Sequence, residues 1–355
     1  MLTKNKRIFV FDNIKALLIV LVVIGHAADY YTKESDVMRM FFIYTYLFHM
    51  PLFIFIAGLF SKSAILKDTF KLEKVANFLI LYLLLKILYY FTLNTWFGNK
   101  NYSIDFLTED GVPWFMFAMA AWLCIARAVR KIPYWITLPT SLLIALAIGY
   151  TEAGDFLVLS RIFVFLPFFL LGLYIKPKAL VEELQSKTLK IVSVGILLTI
   201  AIVIMTQIER IYAFRNILSG RNSYDKVRGL EPITDDLFAA GAFLRLFVFL
   251  ITVSMCIAIL ALMTHKRTWF TVLGERSIAI YFFHRFLLFI YHHYGLNEQL
   301  EKIFPNAWLS IYLFTFFVVA ILLAWKPFEM ILRTIEKNIA KLFQPKDTLV
   351  SKKTI

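Results

Sequence analysis

The stretch FDNIKALLIVLVVIGHAADY, residues 11–30, has the length and apolarity of a membrane-spanning helix, yet it carries Asp12, Lys15 and His26. A hydrocarbon core needs roughly 17–25 residues of helix to cross it. An ionisable group at its centre costs from about 2.5 to more than 10 kcal/mol, so a plain anchor has no use for three. At about 100° per residue, Lys15 and His26 lie three turns plus 20° apart, and Asp12 falls about 60° from Lys15. The three share one stripe, with His26 about 16 Å beyond Lys15 at 1.5 Å per residue. Asp12 and Lys15 near one interface also fit a snorkelling pair, and His26 alone fits a helix-packing histidine; their common stripe favours a site. Gly25 beside His26 is expected to let a helix or ligand approach. Because Asp12 and Lys15 interrupt the apolar run, it is read as a retained first helix rather than a cleaved signal peptide.

The same pattern extends along the chain. Of 355 residues 60% are hydrophobic and 17% charged, against about a quarter charged in an ordinary soluble domain. The apolar excess is gathered into ten blocks, near 11–30, 40–60, 76–97, 113–129, 134–150, 161–176, 189–207, 241–264, 277–296 and 306–325. The fold class expected is therefore an all-α membrane protein, a polytopic bundle of about ten transmembrane helices. With the N-terminus in the cytoplasm, 24 Lys and Arg fall on the inner side and 10 on the outer, while carboxylates divide 8 to 15 the other way. That is the positive-inside pattern, and it puts the C-terminus in the cytoplasm too. The net charge of +14 is then a topology signal, and no nucleic-acid partner is implied. Lys15, Lys86, Arg245 and Arg285 fall inside the blocks. Cys124 and Cys256 are read as buried small hydrophobes.

The chain reads as one transmembrane domain over 1–355, closed by an amphipathic, basic cytoplasmic tail at 326–355. Segment 62–75, KSAILKDTFKLEKV, is basic and amphipathic and is expected along the inner membrane surface. The long polar excursion 208–240 on the outer side carries Arg210, Arg215, Arg221 and Arg228; a solvated basic loop is the plainer reading, a hold on an anionic glycan or lipid pyrophosphate the sharper one. In the second block His49 is central and Pro51 is expected to kink the helix and free backbone carbonyls. In the ninth, Ser277, Tyr281 and His284 repeat at i, i+4 and i+7 on one face, with Arg285 pointing elsewhere, and His292 and His293 read as rim residues. Three histidines without ligand spacing leave metal out of the expectation.

In this order the motifs DNIKALLIVLVVIGH (12–26), FHMPLFIFIAG (48–58), PWFMFAMA (113–120), RIFVFLPFFLLGLYI (161–175) and LGERSIAIYFFH (273–284) resemble the acyltransferase 3 family of membrane acyltransferases, especially its fucose 4-O-acetylase-like branch. The resemblance covers about residues 8–325. It implies acyl transfer, usually of acetyl, from cytoplasmic acetyl-CoA to a hydroxyl of an extracytoplasmic or lipid-linked glycan. It maps the family's first-span basic residue to Lys15, where an arginine is common, and its histidine to His26. The family's Arg-x-x-Arg corresponds to Lys71-x-x-Lys74; Arg127-x-x-Arg130 has the spelling at the wrong position and is read as a topology feature. Trp114 and Arg161 open two of the matching motifs and join Asp12, His49, Ser277 and Tyr281 as supporting residues.

A thioester is already activated, whereas a hydroxyl needs a base, and neutral imidazole suits that role near pH 7. His26 is the expected base. Asp12 lies too far along the helix to touch it, so its partner must come from another helix: His284, Tyr281 or Ser277, with His284 taken as the second catalytic residue. Lys15, Lys71 and Lys74 would neutralise CoA phosphates. Direct transfer and a short-lived acyl-histidine both remain open. No appended SGNH-type esterase domain is expected, so the chain finishes the transfer alone or hands the acyl group to a separate partner. Membrane lipid surrounds it, in a multi-pass setting expected to be the bacterial plasma membrane. The competing reading is a transporter or flippase for a glycan or lipid-linked precursor.

Overall fold

A computed structural model describes residues 7–99, 103–109, 111–226 and 237–343. Lys4, Lys6, Arg228 and the tail beyond residue 343 lie outside the described residues. Helix follows the apolar sequence: α1 (Phe9–Asp29), α2 (Asp36–Tyr46), α3 (His49–Ile65), α4 (Leu72–Tyr90, continued by a π turn at Phe91–Trp96), α5 (Trp114–Val129) and α6 (Tyr134–Ala147). After them come α7 (Leu159–Tyr174), α8 (Pro177–Glu183), α9 (Lys187–Thr206), α10 (Ile208–Ala213), α11 (Arg215–Leu218) and α12 (Leu237–Leu262). The chain closes with α13 (Thr271–Glu275), α14 (Ser277–His293), α15 (Leu296–Ile303), α16 (Trp308–Leu323) and α17 (Lys326–Leu342). Every expected apolar block carries a helix, and the described residues contain no strand. In lipid no water satisfies backbone groups, and a helix closes its hydrogen bonds within itself.

Among the described residues five segments are long and apolar enough to cross a membrane: Phe9–Asp29, Asp36–Ile65, Leu72–Trp96, Lys187–Thr206 and Ala240–Leu262. Counting α7 with α8 (bent by 92°) and α16 with α17 (bent by 55°) as one span each gives seven, while α5 and α6 are apolar but shorter. Large apolar side chains face outward on α9 and α12, including Ile191, Leu198, Phe243 and Phe247, as contact with lipid requires. Cys256 is buried, but Cys124, expected inside, is exposed on α5; a small apolar side chain costs nothing against lipid.

The second block breaks as its proline demands, and four residues ahead of it. Pro51 has no N–H to give the carbonyl of Leu47, and the chain leaves the helix at Leu47–Phe48 before resuming at His49. The Thr252 hydroxyl of α12 donates to that carbonyl at 2.7 Å, and the His49 ring reaches the carbonyl of Thr45 at 2.8 Å. Gly58 and Gly172 then bring α3 and α7 into backbone contact: a Cβ on either would stand 2.0 Å from a carbonyl oxygen of the other helix. Gly25 is different, because a Cβ there would meet nothing nearer than 3.7 Å. The close approach to α1 occurs instead at Gly274, whose Cβ would fall 1.8 Å from the Asp12 oxygen.

Segment 62–75 forms no surface helix of its own. Its first residues extend α3, its last begin α4, and Arg127 spans the loop between, donating to the carbonyls of Ile65 (2.7 Å), Lys67 (2.6 Å) and Asp68 (2.7 Å). These are acceptors that a helix end leaves without intrahelical partners, so Arg127 is a structural clamp.

Two of the four cations within the apolar blocks are structural as well. Lys86 is buried against Glu109 at 3.0 Å and donates to the carbonyls of Asp105 and Thr108. Arg245 is 1% exposed, donates to the Ala145 carbonyl at 2.9 Å and lies over the Tyr224 ring. Burial pushes the Tyr224 phenol up to about 12, keeping it a donor to the Leu146 carbonyl at 2.7 Å.

Candidate active site

The other two cations mark cavities. Around the C-terminal end of α1 lies a cavity of about 400 Å³ whose walls include His26, His49, Trp114, Arg161, Tyr281 and Arg285. Toward the N-terminal end lies a second, of about 540 Å³, whose walls include Lys15, Lys74, Ser277, Arg333 and Lys337. A space of about 10 Å³ separates them. It shares Val22, Met50 and Tyr281 with the first cavity and Phe53, Phe115, Met116 and Ser277 with the second. The three therefore lie in a row along α1, the smallest, an apolar neck with room for about one water, standing between the two larger.

Three imidazoles gather at the His26 end. His26 lines the cavity and does not face lipid, and among the described residues neither of its ring nitrogens has a hydrogen-bond partner. The His284 ring stacks on it, with centroids 5.4 Å apart and planes 25° from parallel. Among the described residues, His284 alone of its three expected partners makes a ring contact with His26. The Tyr281 hydroxyl is committed to the Val112 carbonyl, and Ser277 lies at the neck. His284 is 1% exposed, and its Nδ1 donates to the Tyr281 carbonyl at 2.8 Å. In the neutral ring that leaves the Nε2 lone pair free, and this atom is buried without a partner. His49 likewise spends Nδ1 on Thr45. Trp114 carries the Arg161 guanidinium over its ring at 5.1 Å, and Arg161 pairs with Asp155 at 3.3 Å.

At the other end Asp12 does not approach His26. It pairs with Lys15 at 2.9 Å and with Arg7 at 2.7 Å, and Arg7 also reaches Glu275 at 3.4 Å. The hydrogen bond to Asp12 raises the Arg7 guanidinium above its ordinary value. Asp12 thus steers Lys15 along the cavity wall. Lys74 is on that wall; Lys71 sits just before α4 and is not among the lining residues. The amphipathic tail helix α17 does more than lie on a surface. It buries Leu332 and Ile339 and supplies Glu329, Arg333 and Lys337 to the wall, fastened by Arg276, which binds Glu329 at 3.0 Å and the Ala324 carbonyl at 2.6 Å.

Arg285 and Asn13 escaped the sequence reading, and two arginines that it named, Arg215 and Arg221, fall on the cavity wall. Arg285 was assigned another face but shares the cavity with Tyr281, because four residues advance about 400° and return within 40°. Arg215 and Arg221, from the long polar excursion, fold back onto the same cavity. Asn13 is fully buried and holds the carbonyls of Thr264 (2.8 Å) and Lys266 (2.9 Å) while accepting the Thr271 hydroxyl at 2.6 Å. It pins the loop after α12 to α1, so its place beside Lys15 in the motif is structural. His292 is not a bare rim residue either: it is half-buried, stacks on Tyr30 at 4.0 Å and bonds the Tyr312 hydroxyl at 2.9 Å.

Nodulation protein NolL of Mesorhizobium japonicum (strain LMG 29417 / CECT 9101 / MAFF 303099) is 31% identical over 160 residues, 40% of this chain and 42% of that one. Nodulation protein NolL of Sinorhizobium fredii (strain NBRC 101917 / NGR234) is 28% identical over 158 residues, 40% of this chain and 43% of that one. The chain thus matches about two fifths of the length of these curated relatives. No solved structure matches. The profile of the acyltransferase domain family Acyl_transf_3 matches residues 8–325, nearly the whole length, and the chain therefore belongs to the acyltransferase 3 family.

Proposed function

We propose that the protein is a membrane O-acetyltransferase that moves an acetyl group from cytoplasmic acetyl-CoA to a hydroxyl of an extracytoplasmic or lipid-linked glycan, with His26 as the general base. The observation that carries this reading is the row of cavities along α1, basic at one end and histidine-lined at the other, with an apolar neck between them. A pantetheine arm is a slender chain that can bring its thioester up to such a neck from the basic end, which a sugar ring is too wide to do. Lys15, Lys74, Arg333 and Lys337 hold the CoA phosphates as charge-assisted donors, and the thioester reaches the neck near Ser277 and Tyr281.

The acceptor hydroxyl enters the 400 Å³ cavity. His26 takes its proton as the oxygen attacks the thioester carbonyl; the carbon–sulfur bond breaks and the thiolate leaves toward the basic end. The His284 ring stacks on His26 and its buried Nε2 is uncommitted, so it positions the His26 ring face and stays neutral beside the imidazolium that forms. Transfer through an acetylated His26 uses the same groups in two steps. The charge asymmetry of the sequence supports about ten spans, with both termini and the Lys15 end in the cytoplasm of a bacterial cell. A separate glycan-synthesis or acyl-relay partner would meet the chain at the His26 end, where the acetyl group emerges. A transporter for whole saccharides is disfavoured by the neck of about 10 Å³.

Labelled acetyl-CoA separates the readings, since only an acyltransferase consumes it. Lys74→Met is expected to raise the KM for acetyl-CoA severalfold with kcat little changed, whereas Lys71→Met leaves both alone. Equal effects of the two substitutions would mean that the cavity wall does not hold the donor.

A further inference from the structure

Four guanidiniums meet at the His26 cavity: Arg161, Arg215, Arg221 and Arg285. They come from α7, from α11, from the loop behind it and from α14, so no single local pattern assembles them. Two are partly compensated, because Arg161 and Arg221 share the Asp155 carboxylate at 3.3 and 2.5 Å. The other two have no ion pair among the described residues. Arg285 lies over the rings of Tyr30 (5.5 Å) and Phe289 (5.1 Å), and Arg215 over Tyr212 (4.5 Å). Aromatic faces orient a guanidinium and leave its N–H fork unspent. One further carboxylate, Asp29, is on the wall. Among the described residues the guanidiniums outnumber the carboxylates Asp155 and Asp29, and the unspent forks of Arg285 and Arg215 have a geometry that matches phosphate. Asn216, Ser219 and Asn222 line the same side, and Asn222 bonds the Ser219 hydroxyl at 3.1 Å and the Asn216 carbonyl at 3.1 Å, which stiffens that wall.

We infer that this cavity binds its acceptor by a phosphoryl group, and that Arg285 and Arg215 are the residues that grip it. The inference rests on the acetyl-transfer reading for the word acceptor, but the binding site does not. A diphosphate or a phosphate monoester has three or more free oxygens and serves both forks, whereas the two oxygens of a single sugar carboxylate fill one. The substrate class is therefore a phosphorylated saccharide. Gripping the phosphate by this wall leaves the sugar hydroxyls to face His26 and His49.

The test is binding to the purified full-length chain in detergent, read by the shift in its thermal unfolding temperature and needing no acyl transfer. Pyrophosphate and glucose 1-phosphate are expected to stabilise the protein saturably, while glucuronate at equal concentration and glucose do so at least tenfold more weakly. Arg285→Lys and Arg215→Lys keep the charge, lose the fork and are expected to weaken pyrophosphate binding tenfold or more; Arg210→Lys, off the cavity wall, leaves it unchanged. A prenyl diphosphate binding more tightly than pyrophosphate assigns the phosphate to a lipid-linked saccharide, and equal binding assigns it to a soluble one. Glucuronate binding as well as the phosphates, or no phosphate binding by the wild-type chain, overturns the inference whatever the variants do. Failure of the acetyl-transfer reading looks different: labelled acetyl-CoA is not consumed, yet pyrophosphate still binds.

Discussion

Membranes carrying His26→Ala are expected to lose acetyl transfer by about two to four orders of magnitude, the range a general base contributes, at unchanged protein abundance. The ring lines the cavity and makes no hydrogen bond among the described residues, so its removal leaves no buried partner stranded and the fold has little reason to change. His284→Ala is different in kind. It removes a fully buried ring whose Nδ1 anchors on Tyr281, so abundance is expected to fall together with activity. Label transfer per folded molecule separates the two. Activity in His26→Ala within a few fold of wild type would remove the imidazole from the chemistry.

The largest effect on stability is expected at Lys86. Removing one partner of a buried ion pair typically costs about 3–5 kcal/mol, because the other charge is left without compensation. Lys86→Met takes the ammonium away from the buried Glu109 carboxylate, and it also frees the carbonyls of Asp105 and Thr108. The loop so released leads to Val112, which accepts the Tyr281 hydroxyl, and to Trp114 on the cavity wall. Yield of folded protein and thermal unfolding temperature in detergent should both drop. Replacing Glu109 by leucine in the same chain should restore part of the loss, since the buried carboxylate then goes together with its cation; Glu109 also accepts the Gly111 N–H at 2.8 Å, so recovery is incomplete. A Lys86→Met protein as stable as wild type would mean that the pair is solvated.

Much of this architecture is written in local chemistry. Apolar runs of span length give helices, Pro51 breaks its span at the carbonyl it cannot serve, and the stripe from Lys15 to His26 follows from helical geometry alone. Arg285 was misjudged because a face defined by Ser277, Tyr281 and His284 is wider than three residues, and a neighbour at i+4 shares it. The arginines of the polar excursion were legible as charge but not as a wall, since their destination depends on how α10 and α11 fold back. Asn13 gave no signal, because its partners lie 251 and 253 residues away. Lys71 and Lys74 match one spelling, yet only the second is on the cavity wall, a difference of helix face that spacing by three does not resolve. The number of spans stays the least legible feature, as α5 and α6 are shorter than a bilayer needs and two other helices bend.

The central claim is that donor and acceptor enter from opposite ends and meet at one imidazole. It is tested most directly in sealed vesicles of known sidedness, with labelled, membrane-impermeant acetyl-CoA supplied to one face at a time. The expected result is label on glycan only when acetyl-CoA is given to the face bearing Lys15 and Lys74, with the product on the opposite face. Transfer that requires donor and acceptor on the same face would contradict it.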